Sequence, residues 1–600
     1  MANFYTDNDD IRFLFRHYQL RTLADLMEGD YSDAQKYDSA PENADDAVDN
    51  YERILDVIGQ ISGDNIAPRA EGIDLEGNHL NDDGTVTLSQ GMQENLKDLG
   101  QADMMAFTLP HRFGGLNCPN LVYTMSNEIV SRADASLMNI YGLQGIGETI
   151  NAFATEEQKR QWLPGFAEGE FTGAMVLTEP DAGSDLQAVK LRADMDADGN
   201  WYLNGVKRFI TNGCGEVLLV LARSEHDRAG GLGLSMFVCG RGPTVKIRRL
   251  ENKMGIKGSP TCEMVFNNTP CDLVGERRRG LVEYVMSLMN GARIGIAAQS
   301  LGISEATYRI ARDYGSSRVQ FGTPIENFPA VRELMVGMKM EIEVARSLSY
   351  EACWNVDHEN YVLIKLAEGI EDKDKLKEFK QASKRLKRIN GMMTPLSKYY
   401  ASEMCNRVTY DAIQVLGGSG FMKDYACERH ARDARITSIY EGTSQLQVLA
   451  AVRGVCGTGE KYLLEKEEFP YPAEVKDLLD ILKAGREKMT EAIAFVKAQP
   501  GTEYMDLAGR RLCDVAIMLI VSHLFLQQSV AEPKWNDAFC QSDKDGRNAY
   551  QELKKRKSII ANKYIRTNEA KINMLLDDIM RGDRSTITEY ALIAGDVPEL

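Results

Sequence analysis

The 600-residue chain is too long for one hydrophobic core, and its 44% hydrophobic content is ample for several packed domains. A formal net charge of −18 argues against a nucleic-acid groove or a stable contact with an anionic membrane surface, while leaving room for a local basic pocket. The eleven cysteines include no C-x-x-C pair, so no metal site is expected, and the first residues are polar and acidic, unlike a leader. The longest apolar run, residues 515–526, is broken by Ser522 and His523 and stops short of the roughly 20 residues that span a bilayer. A reduced, cytoplasmic protein without membrane insertion is the expectation.

Residues 1–170 read as a helical domain. Within it the stretch 63–84, rich in Asp, Glu, Gly and Asn, is expected to be an exposed loop. Thr155-Glu156-Glu157-Gln158 opens a capped helix predicted to stop at Pro164. Residues 171–285 carry short β-prone runs at 201–203, 217–221, 235–238 and 264–266. Asp198-Gly199-Asn200 and Asn204-Gly205 punctuate them, which suits a compact β-barrel or sandwich. Residues 286–455 return to long helices, with Val331, Leu334, Met335, Met338, Ile342 and Ala345 at helical spacing. Residues 456–600 form an additional helical extension, with helices predicted over 474–498, 503–530 and 558–581 and a charged stretch at 544–557. The fold class is α+β and multidomain.

One octapeptide carries chemistry: Ser438-Ile439-Tyr440-Glu441-Gly442-Thr443-Ser444-Gln445. Thr443 and Ser444 suit the N-cap of a helix over the apolar-periodic run that follows, and Gly442 permits a tight bend just before it. A lone glutamate on such a bend can be aimed inward, as a general base that removes a weakly acidic C–H proton requires. Read alone, it is equally an ordinary helix entry. Other segments add to it. Met175 through Asp185 is a strand running into a Pro/Gly turn, and Arg208-Phe209-Ile210-Thr211-Asn212-Gly213 is a strand ending in a turn. Lys253 through Glu263 reads as a turn into a last strand, with Lys253 and Lys257 as solvated charges. Arg318 stands uncompensated beside the Gly322 turn, a suitable donor to a pyrophosphate. The pair Gly417-Gly418 allows close backbone approach to a ligand.

In order and spacing, these segments resemble the acyl-CoA dehydrogenase family over about residues 90–455. The resemblance implies an N-terminal helical domain, a central β-barrel or sandwich and a C-terminal four-helix bundle, with FAD as cofactor. It implies dehydrogenation of an acyl-CoA to the 2-enoyl-CoA, with Glu441 as base and electrons passed to electron-transfer flavoprotein. By position, Met175, Leu177, Thr178, Phe209 and Thr211 border the flavin ring, with Phe209 standing where Trp is common. Arg318, Gln320, Phe321, Gln414, Gly417, Gly418, Thr443 and Gln445 hold the dinucleotide. Arg318 and the glycines reach the FAD of a neighbouring subunit, which implies a homodimer, with a tetramer possible. Ser184, Arg293, Tyr440 and Gly442 belong to the substrate side. Some relatives place the base near Gly291 and Ala292, where this chain has no carboxylate. The long C-terminal extension resembles that of bacterial enzymes that include the 3-methylmercaptopropionyl-CoA dehydrogenases. Two rivals share the scaffold: acyl-CoA oxidases, which use oxygen, and a DNA-associated flavoprotein, against which the acidic charge and Glu441 weigh.

Overall fold

The computed structural model describes residues 2–543 and 546–597. The N-terminal region comprises α1 (Asp9–His17), α2 (Leu20–Glu28), α3 (Ala44–Ile61), α4 (Ala67–Glu76) and a short hairpin of β1 (His79–Leu80) and β2 (Val86–Thr87). There follow α5 (Gln90–Gln101), α6 (Asn120–Ala133), α7 (Ala135–Tyr141), α8 (Gly145–Phe153) and α9 (Glu156–Ala167). Residues 63–84 are not a loop. Ser62–Ile66 continue α3 through a wide turn into α4, burying Ile66, Ala70 and Ile73, and the chain turns away only at Gly77. Gly63 serves packing, since a Cβ there would lie 2.3 Å from the Ala2 carbonyl oxygen. The capping box on α9 forms as expected, Thr155 and Gln158 each accepting the other's backbone N–H. Pro164 removes one backbone donor without ending the helix, because buried Leu163 and Phe166 hold its last turn in the core.

The central strands are β3 (Gly173–Val176), β4 (Arg192–Met195), β5 (Trp201–Thr211), β6 (Val217–Arg223), β7 (Leu234–Gly240), β8 (Val245–Leu250) and β9 (Thr261–Val274). Pairing runs β6–β4–β5–β9–β7 and back to β6, a closed ring, with β3 beside β4 along β6 and β8 along β9. One face of β6 (Leu218, Val220) packs with Leu203, Phe237 and Met264, and the other (Val217, Leu219, Leu221) with Ile146, Leu163 and Phe166 of the helices. Burial on both faces explains why this strand is apolar without alternation. Asn204-Gly205 does not separate strands. It lies within β5 at a bulge, and a second register shift separates Lys207 from Ile210.

The bundle consists of α10 (Met286–Ser317), the hairpin β10 (Val319–Gln320) and β11 (Thr323–Pro324), α11 (Pro329–Glu368), α12 (Lys373–Leu416), α13 (Gly418–Phe421), α14 (Cys427–Thr437) and α15 (Ser444–Gly454). The extension adds α16 (Glu460–Glu467), α17 (Lys476–Ala498), α18 (Glu503–Val530), α19 (Ala549–Met580), α20 (Ser585–Thr588) and α21 (Tyr590–Ala594). It shares one core with the bundle: Val344, Leu348, Met392, Leu396 and Val448 pack with Leu512, Ala516, Leu519 and Ile572. Helix α18 is long and apolar enough by composition to cross a bilayer, and 78% of its most apolar stretch is buried in this core. The charged stretch at 544–557 is mostly helix, with residues 544–545 outside the described set. Helix α19 starts at Ala549 because Tyr550, Leu553 and Lys557 fall on its buried face. Lys557 is fully buried, 2.5 Å from Asp10 of α1 and 2.7 Å from Glu343 of α11. Arg346, also buried, pairs with Asp10, with Glu128 of α6 (2.6 Å) and with Glu305 of α10 (3.0 Å).

Candidate active site

The octapeptide forms the corner between α14 and α15. Thr443 is the N-cap residue of α15, its hydroxyl accepting Leu446 N–H at 3.4 Å. Glu441 (φ 53°) and Gly442 (φ 85°) are both left-handed, a conformation that costs a non-glycine residue roughly 1–2 kcal/mol. Tertiary contacts hold it. The Gly442 carbonyl accepts from Lys398 Nζ of α12 at 2.8 Å and from Gln447 Nε2 at 3.0 Å, and Gln447 Nε2 also reaches the Glu441 carbonyl at 3.2 Å. Tyr440 points inward, its hydroxyl donating to Gln299 of α10 and approaching Asn139 Oδ1 of α7 at 3.0 Å. The corner thus leaves Glu441 half-buried, its carboxylate without a hydrogen-bond or ion-pair partner among the described residues. Burial pushes that carboxyl up to about 7, against the lowering influence of Lys398 and Arg293. Arg293, on α10, donates to Asn290 at 3.1 Å, while its buried Nε has no partner among the described residues and burial lowers its pKa.

The barrel presents a second group. Thr178 follows β3, its carbonyl accepting Arg208 N–H at 2.9 Å. Beneath it, fully buried Lys207 donates to the Leu177 carbonyl at 2.7 Å and pairs with Glu179 at 3.0 Å. Burial pushes the Lys207 ammonium down to about 8. Phe209 sits at the second irregularity of β5 with φ 60°, and the residue is 52% exposed. The hydroxyls of Thr178 and Thr211 have no partner among the described residues. Met175 is half-buried, Leu177 buried, and Ser184 exposed in the turn beyond.

The two groups are joined by the turn between β8 and β9. Ile256 N–H donates to Asp433 of α14 at 2.5 Å, and Asn139 donates to Ser259 at 3.1 Å. Lys253 is not solvated as expected. Its ammonium donates to the Ser259 carbonyl (2.5 Å), the Ser259 hydroxyl (3.2 Å) and Thr261 Oγ1 (3.0 Å), beside the Thr211 pairing of β5 with β9. Burial pushes it down to about 8. Lys257 is half-exposed.

The remaining predicted residues lie elsewhere. Arg318 caps the far end of α10, exposed, its guanidinium without a partner among the described residues. Helical rise puts roughly 37 Å between it and Arg293. Gln320 is exposed, and Phe321 stands 95% exposed with φ 50°. Gln414, Gly417 (φ 60°) and Gly418 share this end, where Tyr314 meets Ser419 at 3.3 Å. Gln445 is exposed and accepts from Arg510 of α18 at 3.2 Å.

Domain models of this architecture match in chain order. Residues 49–170 match the acyl-CoA dehydrogenase N-terminal domain, 174–269 the middle domain, and 279–370 with 375–456 the C-terminal domain. A further model, acyl-CoA dehydrogenase C terminal, matches 456–569. The chain is 33% identical over 370 residues to an acyl-CoA dehydrogenase of Bacillus subtilis, covering 60% of this chain and 89% of that one. It is 37% identical over 302 residues to the short-chain specific acyl-CoA dehydrogenase of Megasphaera elsdenii, covering 50% and 71%. The chain belongs to the acyl-CoA dehydrogenase family.

Among solved structures, a chain from that of the Acidaminococcus fermentans electron transferring flavoprotein superposes with a TM-score of 0.58 and 30% identity, covering 68% of this chain and 97% of that one. A Bacillus anthracis acyl-CoA dehydrogenase complexed with FAD matches in fold at a TM-score of 0.72 over 92% of each chain, with 21% identity. As a member of the acyl-CoA dehydrogenase family, the enzyme is a flavoprotein oxidoreductase whose cofactor is FAD. Its own residues fit an isoalloxazine: half-exposed Phe209 and two hydroxyls without partners among the described residues, Thr178 and Thr211, lie along the β3 end and the adjoining stretch of β5. Sequence reading missed Lys398, Gln447, Gln299 and Asn139. A lysine within the otherwise uncharged run 392–399 was the one visible sign of the first.

Proposed function

We propose that this acyl-CoA dehydrogenase abstracts the α-proton of its acyl-CoA thioester with Glu441 and passes electrons to an electron-transfer flavoprotein. The reading is carried by one observation: a half-buried, unpartnered carboxylate in left-handed backbone, pushed up to about 7. Bound FAD supplies the acceptor for the hydride that leaves the β-carbon. Glu441 takes the α-proton on a carboxylate oxygen, and further desolvation by the acyl chain brings its basicity nearer that of a carbon acid. The Glu441 N–H donates to no described residue, which leaves it to hydrogen-bond the thioester carbonyl as negative charge develops there. Thr178, Phe209 and Thr211, with Met175 and Leu177 behind them, receive the flavin ring, while Ser184 and Gly442 border the thioester. Tyr440 anchors the loop and does not present its hydroxyl to substrate.

Arg318, Gln320, Phe321, Gln414, Gly417 and Gly418, with Thr443 and Gln445, serve the dinucleotide in a homodimer, the far bundle end of one copy completing the site of the other. The helical rise along α10 supports this, because it holds Arg318 roughly 37 Å from Arg293, which lies beside Glu441 in the same chain. The proposed units are 1–170, 171–285, 286–455 and 456–600, in a cytoplasmic enzyme. Likeness to the Acidaminococcus fermentans chain supports the electron acceptor.

Anaerobic mixing of the FAD-loaded enzyme with straight-chain and 3-methylmercaptopropionyl-CoA thioesters, followed by flavin absorbance, tests the reading. Glu441→Gln is expected to keep FAD and thioester binding and to lose bleaching by roughly 10²–10⁴-fold. Bleaching at the wild-type rate would remove Glu441 from the role. Rapid reoxidation in air with peroxide formation would make the protein an oxidase.

A further inference from the structure

Lys398 occupies an unusual place for a lysine. It lies in the middle of α12, fully buried, on a stretch that packs Met392, Met393, Leu396 and Tyr399 into the core. A buried ammonium is costly unless something polar compensates it. The hydrogen-bond acceptor supplied is the Gly442 carbonyl, the backbone oxygen that follows Glu441. Lys398 makes no direct ion pair with the Glu441 carboxylate, so its charge acts from beyond contact distance. We propose that Lys398 is a positioning residue for the base: its ammonium grips the Gly442 carbonyl, locks the left-handed Glu441–Gly442 corner, and supplies counter-charge that favours the ionised form of Glu441 before substrate arrives. The inference rests on the reading of Glu441 as base.

Three observations support it. First, left-handed backbone at a glutamate persists only when its surroundings over-determine it, and the donors aimed at this corner are Lys398 and Gln447. Second, the fixed corner also sets the direction of the Glu441 N–H, so one lysine governs both the base and the donor beside it. Third, each group perturbs the other. Burial pushes Lys398 down to about 7, opposed by Glu441 and Glu403, while Lys398 is the leading lowering influence on Glu441. The charged groups facing the pair are Arg293 from α10, Glu403 from α12 itself and, through Glu403, Arg510 of α18 at 3.8 Å.

The test compares the holoenzymes Lys398→Met and Lys398→Arg with wild type. The rate of flavin bleaching by a bleaching-competent acyl-CoA is followed across pH, alongside FAD occupancy and circular dichroism. Loss of a nearby positive charge raises a carboxyl's pKa, so the rising limb of the Lys398→Met profile is expected to move up by about one pH unit or more. Its plateau is expected to fall at least about tenfold through the loosened corner. Lys398→Arg, which keeps the charge, is expected to hold the limb near its wild-type position. A Lys398→Met profile that overlays wild type, or an arginine variant displaced as far as the methionine one, overturns the proposal. Gln447 is expected to keep serving the Gly442 carbonyl in either variant, as it does in the wild type. If methionine is not tolerated, Lys398→Gln against Lys398→Arg provides the same contrast. A bleaching-inactive Glu441→Gln with an unmoved Lys398→Met profile refutes only the lysine role, whereas an active Glu441→Gln removes the base assignment itself.

Discussion

At Glu441 the backbone adopts a shape that glycine takes freely and glutamate does not, and the next residue is the glycine that cannot be replaced without collision. A Cβ on Gly442 would lie 2.5 Å from Gln447 Nε2, at φ 85°. Gly442→Ala is therefore expected to eject Gln447 from the corner and to lower the bleaching rate well beyond its effect on FAD occupancy. Equal losses of both would point to general damage. Glu441 also sets a pH dependence of stability. Its folded pKa, about 7, lies above the unfolded value of 4.5, so the native state holds a proton that the unfolded chain has released. The contribution is present in full below 4.5 and is lost as pH rises to about 7. The melting temperature of Glu441→Gln is thus expected to gain on wild type between pH 5 and 7 and then level off. A flat difference across that range would mean the carboxyl titrates normally. The Gly442–Thr443–Ser444 punctuation was legible because a bend and a cap are local chemistry. Lys398 and Gln299 were not, because they meet the loop from helices far away in sequence.

Among the elements, local composition misled wherever a glycine served a close approach and not a turn. Gly63 lies where the chain's first residues cross α3, and Gly205 sits in a bulge of β5 with φ 143°. Both read as loop punctuation, and both lie inside regular structure. Gly63→Ala tests the first case. Overpacking against the Ala2 carbonyl is expected to cost about 1–3 kcal/mol, measurable by chemical denaturation. An unchanged midpoint would mean the crossing is loose. Phe209 was placed correctly as an aromatic on a strand end, but its left-handed backbone depends on pairing between β5 and β9, which no local pattern announces. The start of α19 was misplaced for a related reason. Lys557 reads as surface charge until Asp10 and Glu343, from two distant helices, close around it.

For the molecule as a whole, the order helical, β, helical, helical was legible from periodicity and turn punctuation, while the way the extension is welded to the rest was not. Arg346 and Lys557 tie α1, α6, α10, α11 and α19 through buried charge, and removing one partner of such a set commonly costs 3–5 kcal/mol. Arg510 links α18 to Gln445 at the first turn of α15. The two-copy site makes its own prediction. Arg318→Ala and Glu441→Gln are each expected to be poorly active alone. Dimers reassembled from a mixture are expected to regain activity, because one site then has Glu441 from one copy and Arg318 from the other. No recovery on mixing would mean that each site draws both residues from the same chain.

Helix α18 has a consequence for biosynthesis. The ribosome delivers its apolar face before α19, which covers much of it, has been made. Over that interval the nascent chain displays apolar surface that the finished fold buries, so self-association of incomplete polypeptide competes with completion of this core.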